Sequence, residues 1–248
     1  MKTLFASRLS RLLNVNPFED FHENIAVILK REYGISPPWS EIYKIKPPNT
    51  TRLEELFHSS KGTKLCSSTQ LIEPNKPAMS VAARMQMGID FEGPILQQLH
   101  TEHRHFKPLK LKKRRIKQIS SEFNLLGIVD GFAQKIIRLK DCSSCKKKDY
   151  IIEVKTRTRA NFGCKLQEFT QIQAYMYLFD IKRCLFVESL GGDLKKKLNV
   201  SVFKYNSGFV NEMMKLISEL VEELQTAFPH QIAKVSDRTV PHQTDQGS

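Results

Sequence analysis

Two short stretches of this chain carry residues that can do chemistry together. One is Glu153-Val154-Lys155, ending an apolar run that begins at Tyr150; the other is Leu126-Gly-Ile-Val-Asp130, followed by Gly131. Side chains alternate along a strand, so Glu153 and Lys155 share one face while Val154 enters the core and can still turn its backbone carbonyl toward them. Two carboxylates and an ammonium on neighbouring strands are the minimum apparatus for metal-dependent hydrolysis of a phosphodiester. A hard divalent cation takes oxygen ligands, so Mg2+ (with Mn2+ as a substitute) is the expected cofactor. The candidate ligands are Asp130, Glu153 and the Val154 carbonyl, with Glu92 from a preceding helix completing the set. Lys155 would orient attacking water and offset charge on the phosphate. Taken singly, a Glu-x-Lys on a strand is more often a structural ion pair, and Asp130 before Gly131 is equally an ordinary turn.

The chain has 248 residues, 40% of them hydrophobic, and a formal charge of +13. That length can bury a sizeable core within one large α/β domain, expected over residues 1–232 with a disordered tail at 233–248. The charge favours a polyanion, without distinguishing DNA from RNA or an acidic surface. From Lys107 to Lys117 seven of eleven residues are Lys or Arg, with Lys112, Lys113, Arg114 and Arg115 at the centre. Alone, such a run is equally a solvated face or an import signal; beside an acidic metal site it reads as a groove that tracks phosphates. Five cysteines with no secretory leader imply reduced thiols and an intracellular location, with nucleus, cytoplasm and mitochondrion left open. Cys142-Ser-Ser-Cys145 has the spacing of half a zinc site, but no second half lies nearby, and no cysteine grouping suits an iron–sulfur cluster. No run reaches the ~18 apolar residues of a membrane span, so no membrane partner is expected. The basic start, Met1 to Asn14, superficially resembles a mitochondrial leader; a helix belonging to the fold accounts for it equally well.

The elements that must position these residues can be read from periodicity. Leu4, Leu9, Leu12 and Leu13 share a helical stripe that Asn14-Val-Asn-Pro17 ends, and a second helix is expected over residues 20–31. Residues 34–77, interrupted by Pro37-Pro38 and Pro47-Pro48, read as a long excursion with a helical part around 51–57. Ser80 to His100 is a clear helix with Glu92 near its apolar face, and Pro94 predicts a kink or a new first turn. Strands are expected at 115–119, 125–133 and 150–155, a helix at 165–179, strands at 182–189 and 198–204, and a closing amphipathic helix at 209–228. Gln171 and Gln173 fall on the largely apolar helix after the strand of Glu153; buried, hydrogen-bonded glutamines would explain them equally. The order predicts an α/β fold with a mixed central β-sheet flanked by helices. It is not a doubly wound nucleotide-binding fold, and no phosphate-loop or glycine fingerprint contradicts this.

These residues together resemble the lambda exonuclease and YqaJ-type viral recombinase branch of the restriction-endonuclease-like, or PD-(D/E)XK, nucleases. Glu92 in Met87-Gly-Ile-Asp-Phe-Glu-Gly-Pro94 is similar to that family's helical glutamate. Asp130 resembles its first strand acid, and Glu153-Val-Lys155 its second acid and lysine. Thr170-Gln-Ile-Gln-Ala-Tyr-Met-Tyr177 looks like its Gln-x-Gln helix, with Gln171 and Gln173 as the glutamines. Phe5-Ala-Ser-Arg-Leu-Ser-Arg-Leu-Leu-Asn-Val-Asn-Pro-Phe18 resembles its opening helix, where an Ala-Ser pair precedes an Asn-Pro-aromatic turn. The likeness spans residues 4–228 apart from 34–77. Two departures stand out: Ile128-Val129 replaces the more usual Ser-Pro before the aspartate, and no arginine stands several residues ahead of Ala6-Ser7.

The resemblance implies a restriction-endonuclease-like core and Mg2+-dependent degradation of DNA, typically from a 5′ duplex end and sometimes within a ring-shaped trimer. It assigns Glu92, Asp130 and Glu153 to the metal, Lys155 to the attacking water and Gln171 to the substrate or to Lys155. Ser7 and Arg8 would approach a terminal phosphate, while Lys112 to Arg115 and Gln173 would contact DNA. The expected setting is recombination, repair or replication, with a homo-oligomer or a recombination protein as partner. The alternatives are a single-strand or flap-selective nuclease and a catalytically silent nucleic-acid-binding subunit.

Overall fold

The computed structural model describes residues 2–66, 80–109, 113–120, 123–138, 145–158, 163–191 and 196–229. Their elements, in order, are β1 (Lys2–Phe5), a 3-10 turn (Ala6–Arg8), α1 (Leu9–Leu12), α2 (Phe21–Tyr33), α3 (Trp39–Ile42), α4 (Thr51–Ser59), β2 (Thr63–Cys66) and α5 (Val81–Glu102). There follow β3 (Phe106–Pro108), β4 (Arg114–Gln118), β5 (Phe123–Ile128), β6 (Gly131–Arg138), β7 (Cys145–Arg157), α6 (Leu166–Phe179), β8 (Arg183–Leu190), β9 (Asn199–Lys204) and α7 (Ser207–Ala227).

The strands form two sheets. Six lie in the order β2-β9-β8-β7-β6-β3, and three in the order β1-β5-β4. The large sheet is antiparallel except where β7 and β8 run parallel, joined through α6 as a crossover. It buries both faces, and the alternation along β7 shows how. Ile151 belongs to a core shared with α1, α2, α6 and α7, whereas Tyr150 and Ile152 belong to a second core under α5, with Ile95 and Leu99. Glu153, Lys155 and Arg157 follow Ile151 on the α6 side. This mixed sheet flanked by helices is the α/β architecture expected from the order of elements.

Helix ends follow local chemistry. The Asp20 carboxylate accepts from the Glu23 amide at 2.9 Å to start α2, and Gly34, at φ 68°, ends it in the left-handed conformation that costs glycine nothing. Asn206 caps α7 in the same manner, accepting from the Phe209 amide at 3.0 Å. α6 is apolar nearly all round and buried accordingly, because it lies between the small sheet and α7.

Four sequence expectations need correction. The opening leucine stripe is not one helix: Lys2–Phe5 is a strand paired parallel with β5, and only Leu9 onward is α-helical. A pairing partner far along the chain decides that conformation, and periodicity cannot reveal it. Residues 34–66 are integrated rather than excursive, since Ile42, Ile45 and Leu53 are buried and Thr63–Cys66 pairs with β9; the prolines diluted the apolar pattern. The strand expected over 125–133 is two strands in different sheets, parted at Val129-Asp130. Finally, of the two outcomes expected at Pro94, a kink or a new first turn, the second is ruled out, since α5 runs through it as one helix. The expected tail and Cys142 lie outside the described residues.

Gly127 sets how closely α6 approaches the small sheet. A Cβ there would fall 2.6 Å from Leu178 Cδ1 and 2.9 Å from Tyr175 Cδ1. Gly127→Ala should therefore lower unfolding stability by about 1–3 kcal/mol. Gly88→Ala, in α5 with open space around it, should raise it by up to about 1 kcal/mol. Urea denaturation of the two variants checks both signs.

Candidate active site

β7 is longer than its neighbour. β6 pairs only with Cys145–Ile152, beginning at Gly131 opposite Ile152, so the last residues of β7 overrun it. The chain reaches that gap from β5, crossing between the sheets over Val129 and Asp130, with the Val129 amide donating to the Lys113 carbonyl at 2.9 Å. The Asp130 carboxylate fills the gap by accepting from the Val154 amide at 2.7 Å. Strand overrun and sheet crossing thus bring Asp130 to Glu153 and Lys155.

On the α6 face, Lys155 Nζ donates to Glu153 Oε1 at 2.7 Å and to Gln171 Oε1 at 3.2 Å, and Gln171 Nε2 donates to the Tyr175 hydroxyl at 2.9 Å. Glu153 is only 3% exposed, and its Oε2 is buried with no hydrogen-bond partner among the described residues. Burial, then the charges of Glu153 and Glu92, push Asp130 from 3.8 up to about 8, against the Val154 hydrogen bond. Burial also raises Glu153, against the pull of Lys155. For Lys155, burial works against the charge, but the attraction and hydrogen bond of Glu153 prevail and keep the ammonium protonated. Both acids are thus pushed toward their neutral forms, with Lys155 opposing the shift at each.

Glu92, on α5, is near enough to raise both acids, yet its Oε1 faces Lys113 Nζ at 3.4 Å. Among the described residues no three His, Cys, Asp or Glu side chains converge as a metal cage. The pair nevertheless fits a hard cation: the buried Glu153 Oε2, with no hydrogen-bond partner among the described residues, accompanies a second carboxylate whose charged form is disfavoured by burial and by its acidic neighbours.

The remaining sequence candidates separate. Ser7 and Arg8 are exposed on the 3-10 turn, which packs beside α6. Lys113, Arg114 and Arg115 are exposed, and alternation sends the two arginines to opposite faces of β4. Lys112 lies outside the described residues. Gln173 is a correction. It is fully buried, donating to the Lys204 carbonyl at 2.9 Å and accepting from the Asn206 amide at 2.9 Å, so it ties α6 to the β9–α7 turn and presents nothing to DNA.

Sequence reading missed Arg157, Glu168, Glu188 and Asn199. Arg157 donates twice to Glu168, at 2.5 and 2.9 Å, and twice to Glu188, at 2.9 and 2.7 Å. Asn199 Nδ2 adds a 2.5 Å bond to Glu188. Burial disfavours charge on Glu168, but its bonds and attraction to Arg157 win and hold it below the usual carboxylate range. The clamp fixes the end of β7 to the first turn of α6, one helical turn before Gln171. Two signals were available: Arg157 shares the face of Lys155, and Glu188 is an acid at the end of an apolar strand.

No protein-family model matches the chain, and no curated protein matches it in sequence. Among solved structures, the alkaline exonuclease LHK-Exo from Laribacter hongkongensis superposes with a TM-score of 0.51 at 12% identity, over 95% of this chain and 92% of that one. Its complex with dAMP gives 0.52 at 12% identity, over 95% and 94%. The likeness is one of fold, the restriction-endonuclease-like α/β core.

A pH prediction follows from Asp130. Its folded pKa lies above its unfolded value, so its protonated form favours the fold; that contribution is complete below pH 3.8 and lost as pH rises toward about 8. In EDTA, the melting temperature of Asp130→Asn relative to wild type should therefore climb between those limits. A constant difference in calorimetry would contradict it.

Proposed function

We propose that this chain is a divalent-metal-dependent deoxyribonuclease, and an exonuclease of the lambda and viral-recombinase kind. One observation carries the reading: the buried Glu153–Lys155 pair set against Asp130, where the two sheets part, in a chain of formal charge +13. The family resemblance of the same residues supports it, as does the exonuclease fold. A silent binding subunit fits less well, because an unpartnered buried carboxylate oxygen is costly and contributes nothing to holding a polyanion.

In this reading Asp130, Glu153 and the Val154 carbonyl hold Mg2+ or Mn2+, with Glu92 turning from Lys113 to join them. When bound, the cation polarises the phosphate and makes water more acidic. Lys155 holds the attacking water with the one N–H that Glu153 and Gln171 leave over, and its charge offsets that which grows on the phosphate. Gln171, braced by Tyr175, keeps the Lys155 ammonium aimed. Ser7 and Arg8 receive a terminal phosphate, while Lys113 and Arg114 follow the backbone, a contact that salt should weaken.

A product time course on 5′-end-labelled duplex, with Mg2+ or EDTA, tests the reading. Wild type should release nucleotides only with the metal, and both Lys155→Ala and Glu153→Gln should lower kcat at least about 100-fold. Binding to the same duplex in EDTA should stay within about threefold of wild type for Lys155→Ala, a difference well under 1 kcal/mol. Undiminished hydrolysis in Lys155→Ala would overturn the role given to that residue.

A further inference from the structure

α6 covers one face of the small sheet; the other carries apolar side chains in contact with solvent. Strand register decides which residues stand where. Gly127 of β5 faces α6, and its partner Arg115 and the next alternate residue of β4, Lys117, share that side, with Lys117 Nζ 3.7 Å from the centre of the Tyr177 ring. The opposite side sets Arg114 beside Ile128 and Ile116 beside Leu126, and the parallel pairing with β1 adds Phe5 beside Leu126. Ile116 and Ile128 are diagonal neighbours there, 51% and 54% exposed.

This outer face begins at the candidate active site. Ile128 stands two residues before Asp130, and the Val129 amide, donating to the Lys113 carbonyl at 2.9 Å, carries the β4–β5 ladder up to the crossing. Lys113 Nζ in turn faces Glu92 at 3.4 Å. On the far side, the guanidiniums of Arg31 and Arg8 lie over the Phe5 ring, 4.9 and 5.7 Å from its centre. Charge on the face has one sign, because β1, β4 and β5 contain no acidic residue. Arg31 is paired with Glu32, whereas Arg8 and Arg114 make no ion pair among the described residues.

We propose that this outer face is the bed on which a single DNA strand lies beside the cleavage centre. Ile116 and Ile128 meet the faces of its bases, and Arg114 and Arg8 meet its phosphates. This role rests on the deoxyribonuclease reading, to which it adds contact with unpaired bases. In a duplex the bases stack on one another, so apolar side chains on an open sheet reach base faces only where the strand is single. Covering the two isoleucines is the apolar gain, and the cations supply the attraction that places the strand. A second copy of the chain fits this face poorly, since like charges would meet across a twofold interface.

Full-length protein in EDTA is titrated with labelled oligothymidylate of about 16 nucleotides and with an abasic strand of the same length, which keeps the phosphates and removes the bases. Anisotropy should show wild type binding oligothymidylate about tenfold more tightly than the abasic strand. The double variant Ile116→Ala/Ile128→Ala should lose that preference and keep wild-type affinity for the abasic strand, which also shows that it folds. Arg114→Ala should weaken both ligands alike, by about threefold. Ile116→Trp, which adds a flat ring, should tighten oligothymidylate binding and leave abasic binding unchanged. Equal affinity of wild type for the two strands would overturn the strand bed, as would a double variant that retains the preference. So would self-association seen by sedimentation without DNA and abolished in the double variant. With Mg2+ restored, cleavage by a wild type that shows no base preference would refute the strand bed and spare the nuclease reading. A preference that the double variant loses, without any cleavage, would do the reverse.

Discussion

One ion pair, its carboxylate buried and its ammonium half-buried, organises the candidate site. Glu153 and Lys155 alternate with core residues on the central strand β7, and the ammonium offsets part of the cost of burying the carboxylate. That strand also needs a neighbour on each side able to meet polar groups. α6 supplies Gln171 for the ammonium, while the Arg157 clamp holds α6 in place by joining three charged groups across three elements. Arginine is suited to this task because its planar fork binds Glu168 with two parallel bonds while also meeting Glu188, a bidentate geometry that the point charge of a lysine lacks.

The second requirement is an opening. A continuous sheet would have given the Val154 amide an ordinary strand partner and left no room for chemistry. Instead the chain leaves the small sheet at Ile128, and Asp130 takes the amide that pairing would have used. Its carboxylate acts as a structural acceptor, while burial and the charge of Glu153 raise its pKa. The same crossing explains why Gly-x-x-Asp-Gly is a compact motif: Gly127 admits α6, and Gly131 begins the next strand.

Much of this was legible in the sequence because it is written in short-range patterns. Alternation along Tyr150–Lys155 placed Glu153 and Lys155 on one face, and the 3.6-residue stripe located α6 and α7. Glu92 was placed on its helix, although its rotamer, set by Lys113, was not. Gln171 and Gln173 looked alike at the sequence level, two residues apart on one helix. A rotation of about 200° between them sends one toward Lys155 and the other to the β9–α7 turn. The β1 strand and the Arg157 clamp were illegible for a different reason: their partners lie far away in the chain, and composition holds no record of them.

The pairing of β1 with β5 also bears on how the protein is made. Lys2–Phe5 is synthesised long before its hydrogen-bonding partner, Phe123–Leu126. Thr63–Cys66 likewise waits for Val200–Val202. Contacts of such long sequence separation close slowly, and domains of this size commonly pass through partly collapsed states. Synthesis in chain order therefore makes the first helices before either sheet can close, and β1 has no strand to pair with until β5 has been made.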